Sequence, residues 1–373
     1  MKDDSLEIIK QIQLARKYQK ERNLYQANEI YKKLINQKIF TYELLFSYGQ
    51  FNKEINNLKI AKNLFILSVK KYPLKINSYI LLAEILRKEN KVNDALRILQ
   101  TAKKIDKFNA EIDYSLSISY KTINLFREAI FSIESAIKQQ PENQIYQILK
   151  ADILIEFLKY KEAKELLLNL KLPKDSYLYF QREILISKIF INQKKYTLAE
   201  KVLLELMKLF SKERTLYLNL SDLYFKNKEL DKGILILKEA VNKFPEFIPL
   251  RFNLGIMYRN LGLIKLSIKT HIEILEKDKF NSNSYYELST MYDFWKHNKQ
   301  LKTLLNIEIG DLSQKEKIYF CYSKANAYHN KKDFKKSAYF LKIANEEKLK
   351  IQPSDVKSKL NTGEYFRNLK IDQ

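Results

Sequence analysis

Residues 42–75 read YELLFSYGQFNKEINNLKIAKNLFILSVKKYPLK, and the placement of Gly49, Ala61 and Pro73 within them decides the architecture. Stepping 34 residues from Ala61 in either direction lands on Ala27, Ala95, Ala129 and Ala163. A step of 36 then reaches Ala199, further steps of 34 reach Gly233, Ser267 and Leu301, and a second step of 36 reaches Ser337. Nine of these ten positions hold a small residue, and only Leu301 departs. Twelve residues upstream runs a second comb: Ala15, Gly49, Ala83, Ser117, Ala151, Ser187, Ser221, Gly255, Ser289 and Ala325, all small. Three residues beyond those stand mostly large rings, among them Tyr18, Tyr120, Phe190, Tyr224, Tyr258, Tyr292 and Tyr328, with Asn52 the one polar member. Pro73, Pro141 and Pro245 each follow a tooth of the first comb by twelve residues, where proline stops a helix.

Each period therefore predicts two antiparallel helices of about a dozen residues, roughly 18 to 20 Å long. Helix axes approach to about 8 Å only when the contact side chains are small. One small comb on each helix makes the notch into which the neighbouring large side chain fits. Neither helix can bury its apolar face alone, so successive pairs must stack.

Composition agrees. Six Gly and six Pro in 373 residues are too few for the turns of a strand-rich or doubly wound protein, while 46% hydrophobic and 13% aromatic content fills a core. The formal charge of +23 admits nucleic acid, anionic membrane or acidic protein as partners. Only 10 of the 67 basic residues are Arg, the residue suited to bidentate reading of phosphates and bases, and no basic run with interleaved aromatics stands out. A solvated basic face is the reading, with nucleic acid not expected. A single cysteine, Cys321, excludes an internal disulfide framework and a Cys-cluster zinc site. Charges recur through residues 1–23, leaving no secretory signal, and no stretch reaches the roughly 18 apolar residues of a membrane span. A cytoplasmic protein is expected.

With Leu254-Gly255 and Tyr258, or Tyr48-Gly49, Ala61, Phe65 and Pro73, the 34-residue period resembles the tetratricopeptide repeat. Ten units match, starting near Ile8, Tyr42, Ile76, Ala110, Gln144, Phe180, Arg214, Ile248, Ser282 and Ile318. The resemblance implies an all-α, right-handed superhelical solenoid of about ten stacked helix-turn-helix repeats over residues 1–352. Residues 353–373 would form a capping helix or tail, with Ser354-Asp355 capping a helix through Leu360. The Trp usual near the start of a repeat is missing, and Tyr79, Tyr217 and Tyr285 take that slot in some units. The two 36-residue steps fall at Lys171–Tyr179, around Pro173, and after Gly310 and Ser313. Local changes of superhelical pitch are expected there, without separate domains.

No phosphate-cradling glycine loop, nucleophile elbow, metalloprotease motif or paired Cys/His spacing is present. His271 takes a slot usually held by an aromatic and reads as packing; His297 lies in an interhelical turn and His329 at a helix end. Cys321 reads as a packed thiol, Trp295 as an edge cover, and Glu346-Glu347 as adjacent carboxylates on different helix faces. No catalytic residue, cofactor, metal or small-molecule substrate is expected. Residues 318–350, with Ser323-Lys324-Ala325, Phe334, Ser337, Leu341, Ala344-Asn345 and Lys348, are similar to the last repeat of bacterial tetratricopeptide proteins that end in a sulfotransferase. The strand and Gly/Ser/Thr-rich loop that open that catalytic half do not occur before Gln373.

Three functions are weighed. The first is a non-catalytic scaffold binding a protein or peptide in a concave groove lined by the first helices. The second is the substrate-docking repeats of a sulfotransferase whose catalytic domain is absent from this chain. The third is a polyanion or RNA binder acting through lysine. In tetratricopeptide arrays the residue before the Leu of each first helix points into the groove. Asn219 and Asn253 hold that position in consecutive repeats, and Arg259 would add a contact to an acidic partner.

Overall fold

The structure, a computed structural model, describes residues 2–291, 298–310 and 312–351. Trp295, His297 and the expected C-terminal cap or tail at 353–373 lie outside the described residues.

Among the described residues every element is an α-helix. The chain divides into two compact units, Met1–Ile189 and Phe190–Gln373. In the first, the pairs are α1 (Lys2–Lys20) with α2 (Leu24–Asn36), α3 (Tyr42–Glu54) with α4 (Leu58–Lys71), and α5 (Ile76–Lys88) with α6 (Val92–Ile105). They continue with α7 (Ala110–Thr122) and α8 (Phe126–Gln139), then α9 (Gln144–Glu156) and α10 (Tyr160–Leu168). The division falls inside α11 (Tyr177–Asn192). The second unit holds α12 (Tyr196–Leu209), the pairs α13 (Arg214–Lys226) with α14 (Leu230–Lys243) and α15 (Ile248–Asn260) with α16 (Ile264–Lys277), then α17 (Ser282–Ser289), α18 (Asn298–Asn306), α19 (Gln314–Asn330) and α20 (Phe334–Ile351). Within each unit, helices pack on their pair partners and on the next pair, so the molecule is an all-α repeat solenoid.

The combs are the crossings. Ala27, Ala61, Ala95, Ala129, Ala163 and Ala199 are fully buried, as are Ala15, Ala83, Ser117, Ala151 and Ser221 on the facing helices. Two serines report the distance directly: Ser267 Oγ donates to the Gly255 carbonyl at 2.8 Å, and Ser337 Oγ to the Ala325 carbonyl at 2.9 Å. Each bond joins the two combs of one repeat, so these backbones are close enough to be bridged by a hydroxymethyl group. At two places the second comb takes glycine beneath a ring, whereas Ala15 shares a core cluster with the fully buried Tyr31. A Cβ at Gly49 would lie 2.6 Å from Phe65 Cε1, and one at Gly255 2.6 Å from His271 Nε2. Leu301, the large tooth, is 7% exposed and packs with Leu288 and Phe320.

The scarcity of glycine has a conformational counterpart in the turns. Every described turn from a first helix to its second passes through one left-handed residue: Arg22, Asn56, Asn90, Asn124, Leu158, Lys194, Lys228, Gly262 and Lys332, with φ between 59 and 80°. The next residue donates its N–H five residues back, as in Asn57 to Asn52 (2.7 Å), Lys159 to Leu154 (2.8 Å) and Glu229 to Tyr224 (2.8 Å). That 6→1 bond is the Schellman motif, which satisfies the carbonyls left open at a helix end. Only Gly262 adopts this conformation without a Cβ penalty. Leu158 is branched beyond Cβ and 70% exposed, so its side chain gains little in return. Leu158→Gly is expected to stabilise the chain by about 0.5 to 1 kcal/mol, read as a raised urea midpoint; an unchanged or lowered midpoint contradicts it.

Both 36-residue steps lie between a second helix and the following first helix. At the first, Ser176 Oγ donates to the Pro173 carbonyl (2.7 Å) and accepts from the Tyr179 N–H (3.1 Å), closing the longer turn before α11. At the second, Ser313 and Glu316 form a capping box that starts α19.

Candidate functional site

Counting each repeat from its first residue, the fifth position forms a third periodic set: Ile12, Phe46, Ile80, Tyr114, Ile148 and Ile184 in the first unit, and Leu218, Phe252, Tyr286 and Tyr322 in the second. Ile12 and Ile148 are buried and the other eight are half-buried, a row of apolar side chains along the first helices that the core does not fully cover. The same 34- and 36-residue stepping that finds the small combs also finds this row. Toward the end of the second unit the row thickens with aromatics, the Tyr286 ring lying 5.4 Å from Tyr319 and 6.1 Å from Tyr322.

Beside the row, consecutive first helices are laced by polar pairs. In the first unit Arg16 donates to Ser47 Oγ (2.6 Å), Lys53 to Glu84 (2.6 Å), and Arg87 to Ser115 Oγ and Ser119 Oγ (2.9 and 3.0 Å). Lys121 pairs with Asp152, which also receives Lys188 at 3.4 Å. The spacing is regular: Lys53 to Glu84 and Lys121 to Asp152 each span 31 residues, while Arg87 to Ser115 and Arg259 to Glu287 each span 28. A cation on the last turn of one first helix thus reaches the middle of the next. Burial on its own would raise the Glu84 carboxyl, but Lys53 and Lys88 outweigh it and hold the group below the usual range. For Glu287 burial dominates and raises the carboxyl despite Arg259.

The three residues singled out in the sequence sit on this face of the second unit. Asn219 and Asn253 are half-buried on the consecutive first helices α13 and α15. Asn219 Nδ2 donates to the Thr215 carbonyl of its own helix (2.8 Å), and Asn253 Nδ2 to Ser221 Oγ of the preceding repeat (3.2 Å). Arg259 is engaged by Glu287 (2.5 Å) and Thr290 Oγ1 (3.3 Å), so an acidic ligand would have to compete for it. His271 is fully buried against Phe252, and its ring is pushed down to a pKa of about 4 by burial, with Arg259 adding to the effect. Cys321 is buried and its thiol is raised, mainly by loss of solvent. His329 is exposed and edge-on to Phe334. Lys324 is 4% exposed; its ammonium donates to the carbonyls of Leu305 (3.1 Å) and Ile307 (2.5 Å), closing the end of α18, and burial lowers its pKa. Among the described residues no cluster of three or more His, Cys, Asp or Glu could hold a metal, and no helix is long and apolar enough to cross a membrane.

A tetratricopeptide repeat protein from Parabacteroides merdae superposes with a TM-score of 0.52, over 62% of this chain and 91% of that one, at 16% identity. The fold is that of the tetratricopeptide repeat. A thermophilic protein with the same repeat from Thermus thermophilus covers 48% of this chain and 98% of its own at 14% identity, with a TM-score of 0.42. Only the first is close enough to bear on the fold. No protein-family model and no curated protein matches the sequence. Tetratricopeptide architecture supplies a repeat scaffold, which is what the stacked pairs here make.

Proposed function

We propose that the chain is a non-catalytic scaffold that holds an extended segment of another protein against the first-helix face of its second unit. The observation that supports this most is the half-buried row Leu218, Phe252, Tyr286 and Tyr322 lying beside Asn219 and Asn253. Such a row offers apolar contact to alternate side chains of an extended peptide, while amides serve its backbone without demanding a particular sequence. Among the described residues no group donates to either Asn Oδ1, so each keeps an acceptor for a peptide N–H. The partner is a protein segment, and an acidic one would compete with Glu287 for Arg259.

Peptides selected on the purified chain from a random displayed library supply the probe. Asn219→Ala combined with Asn253→Ala is expected to weaken the selected peptide at least tenfold, about 1.4 kcal/mol. Stability should fall by no more than about 1 kcal/mol, since only one inter-helix bond, to Ser221, is lost. Equal affinity of wild type and double variant would remove these residues from the site.

A further inference from the structure

A different face of the first unit carries a cavity that the repeat pattern does not call for. In three repeats the fourth position is a buried ring, sharing a core cluster with an apolar residue ten positions earlier: Tyr79 with Val69, Tyr217 with Met207, and Tyr285 with Leu275. In the fourth repeat the same two places hold Asp113 and Lys103, joined at 2.7 Å. Asp113 is 3% exposed, and the same Oδ2 also accepts from Ser135 Oγ (2.7 Å) and Gln139 Nε2 (2.8 Å). The carboxylate is therefore fully engaged within the fold and does not offer itself to a ligand.

A cavity of about 800 Å³ opens between α6, α7 and α8, the size of a small-ligand or side-chain pocket. The equivalent notch between α2 and α4 is about 300 Å³, and the contrast lies in its lining. There Leu64 and Leu67 of the second helix fill it; here the matching residues are Ser132 and Ser135. Leu116, Tyr120 and the ring of Phe131 give the larger cavity apolar walls, and Phe131 stands 77% exposed. Its charge is one-sided. Beyond the Lys103–Asp113 pair the lining has Lys104, Lys107 and Arg127 against Glu128 alone, and those three cations make no ion pair among the described residues.

We infer that this cavity is a second docking site, which receives one aromatic side chain of an acidic peptide. An aromatic anchor suits the apolar walls formed by Leu116, Tyr120 and Phe131. Acidic flanks suit the cations, which stand on two sides: Lys104 in the last turn of α6 and Lys107 in the turn after it, and Arg127 at the start of α8. Charges on both sides of an anchor are what a chain carries through the site, whereas one compact anion reaches a single side. This inference rests on helices of the first unit and stands apart from the face proposed above.

The test uses the full chain and a fluorescein-labelled heptapeptide with three Glu or Asp on each side of a central Trp, read by fluorescence anisotropy. Saturable binding is expected, at least tenfold weaker for the same peptide with Ala at the centre. Ser132→Leu with Ser135→Leu, which refills the cavity in the manner of Leu64 and Leu67, should weaken the Trp peptide at least tenfold while leaving helical circular dichroism intact. Because Ser135 also supports Asp113, Lys104→Glu with Lys107→Glu, two exposed positions, provides an independent variant with the same expected loss. Equal binding of the Trp and Ala peptides, or retention by both variants, overturns the proposal. So does indole-3-acetate competing as strongly as the peptide itself, which would make the occupant a small aromatic anion.

Discussion

Lowering the pH from 7 to 4.5 is expected to cost the wild-type chain about 2 to 3 kcal/mol more stability than the His271→Phe variant. His271 is fully buried and neither ring nitrogen has a hydrogen-bond partner among the described residues. Its folded pKa is about 4 against an ordinary value of 6.5. A histidine with a depressed folded pKa contributes stability in full above its unfolded pKa. That contribution is lost as pH falls from about 6.5 toward 4, because the unfolded chain takes up the proton first. Phenylalanine suits the site because the chain already contains that arrangement: Phe65 lies over Gly49 as His271 lies over Gly255. The variant also removes a buried ring N–H that lacks an acceptor, so it should be more stable even at pH 7. Urea unfolding at both pH values checks both statements, and equal acid losses in the two proteins would refute the assignment.

Gly255→Ala is expected to destabilise by about 1 to 3 kcal/mol, because its Cβ would lie 2.6 Å from His271 Nε2 and 3.0 Å from two ring carbons. The ring is fully buried and packs edge-on against Phe252 at 5.3 Å. Adding His271→Leu should recover most of that cost. Repeats with leucine in the equivalent place carry alanine or serine opposite it: Ala83 with Leu99, Ala151 with Leu167 and Ser221 with Leu237, all fully buried. The coupling between the two substitutions should therefore exceed about 1 kcal/mol in a double-mutant cycle. Additive effects would show that ring and glycine do not meet. Gly233→Ala provides the contrast: its Cβ would crowd only the flexible end of Met257, at 2.6 Å from Cε and 2.9 Å from Sδ, with Tyr224 Cβ at an ordinary 3.5 Å, so the cost should be small and offset by alanine's better helix propensity.

Features that repeat are the legible ones in this sequence. The crossings can be read because Ala, Gly and Ser recurring at a fixed period mark the places where two backbones must approach, and the burial of Ala27 through Ala199 follows from it. The left-handed turns are hidden: eight of the nine hold Arg, Asn, Leu or Lys, residues without the signal that glycine gives at Gly262. The candidate face is legible as positions but not as pairings. Asn219 and Asn253 can be found by counting, whereas the engagement of Arg259 by Glu287 depends on the phase between two helices 28 residues apart. Asp113 is harder still, being one of 44 acidic residues in the chain and distinguished only by its burial with Lys103, Ser135 and Gln139, which the sequence does not announce.

The Schellman turns also govern where this chain can change length. Each described first-to-second turn is closed by the same backbone bond around one left-handed residue, so an added residue there would rotate the second helix by about 100° and carry its small tooth away from the crossing. Between a second helix and the next repeat that lock recurs at Lys38, where Ile39 donates to Leu34 at 3.2 Å, but among the described residues no left-handed residue stands at either 36-residue step. Both two-residue excesses of the chain fall there, at Pro173 and around Gly310. Those two connections are the natural entry points for a loop, a tag or a protease site, and the nine tight turns are the places where insertion would break the molecule.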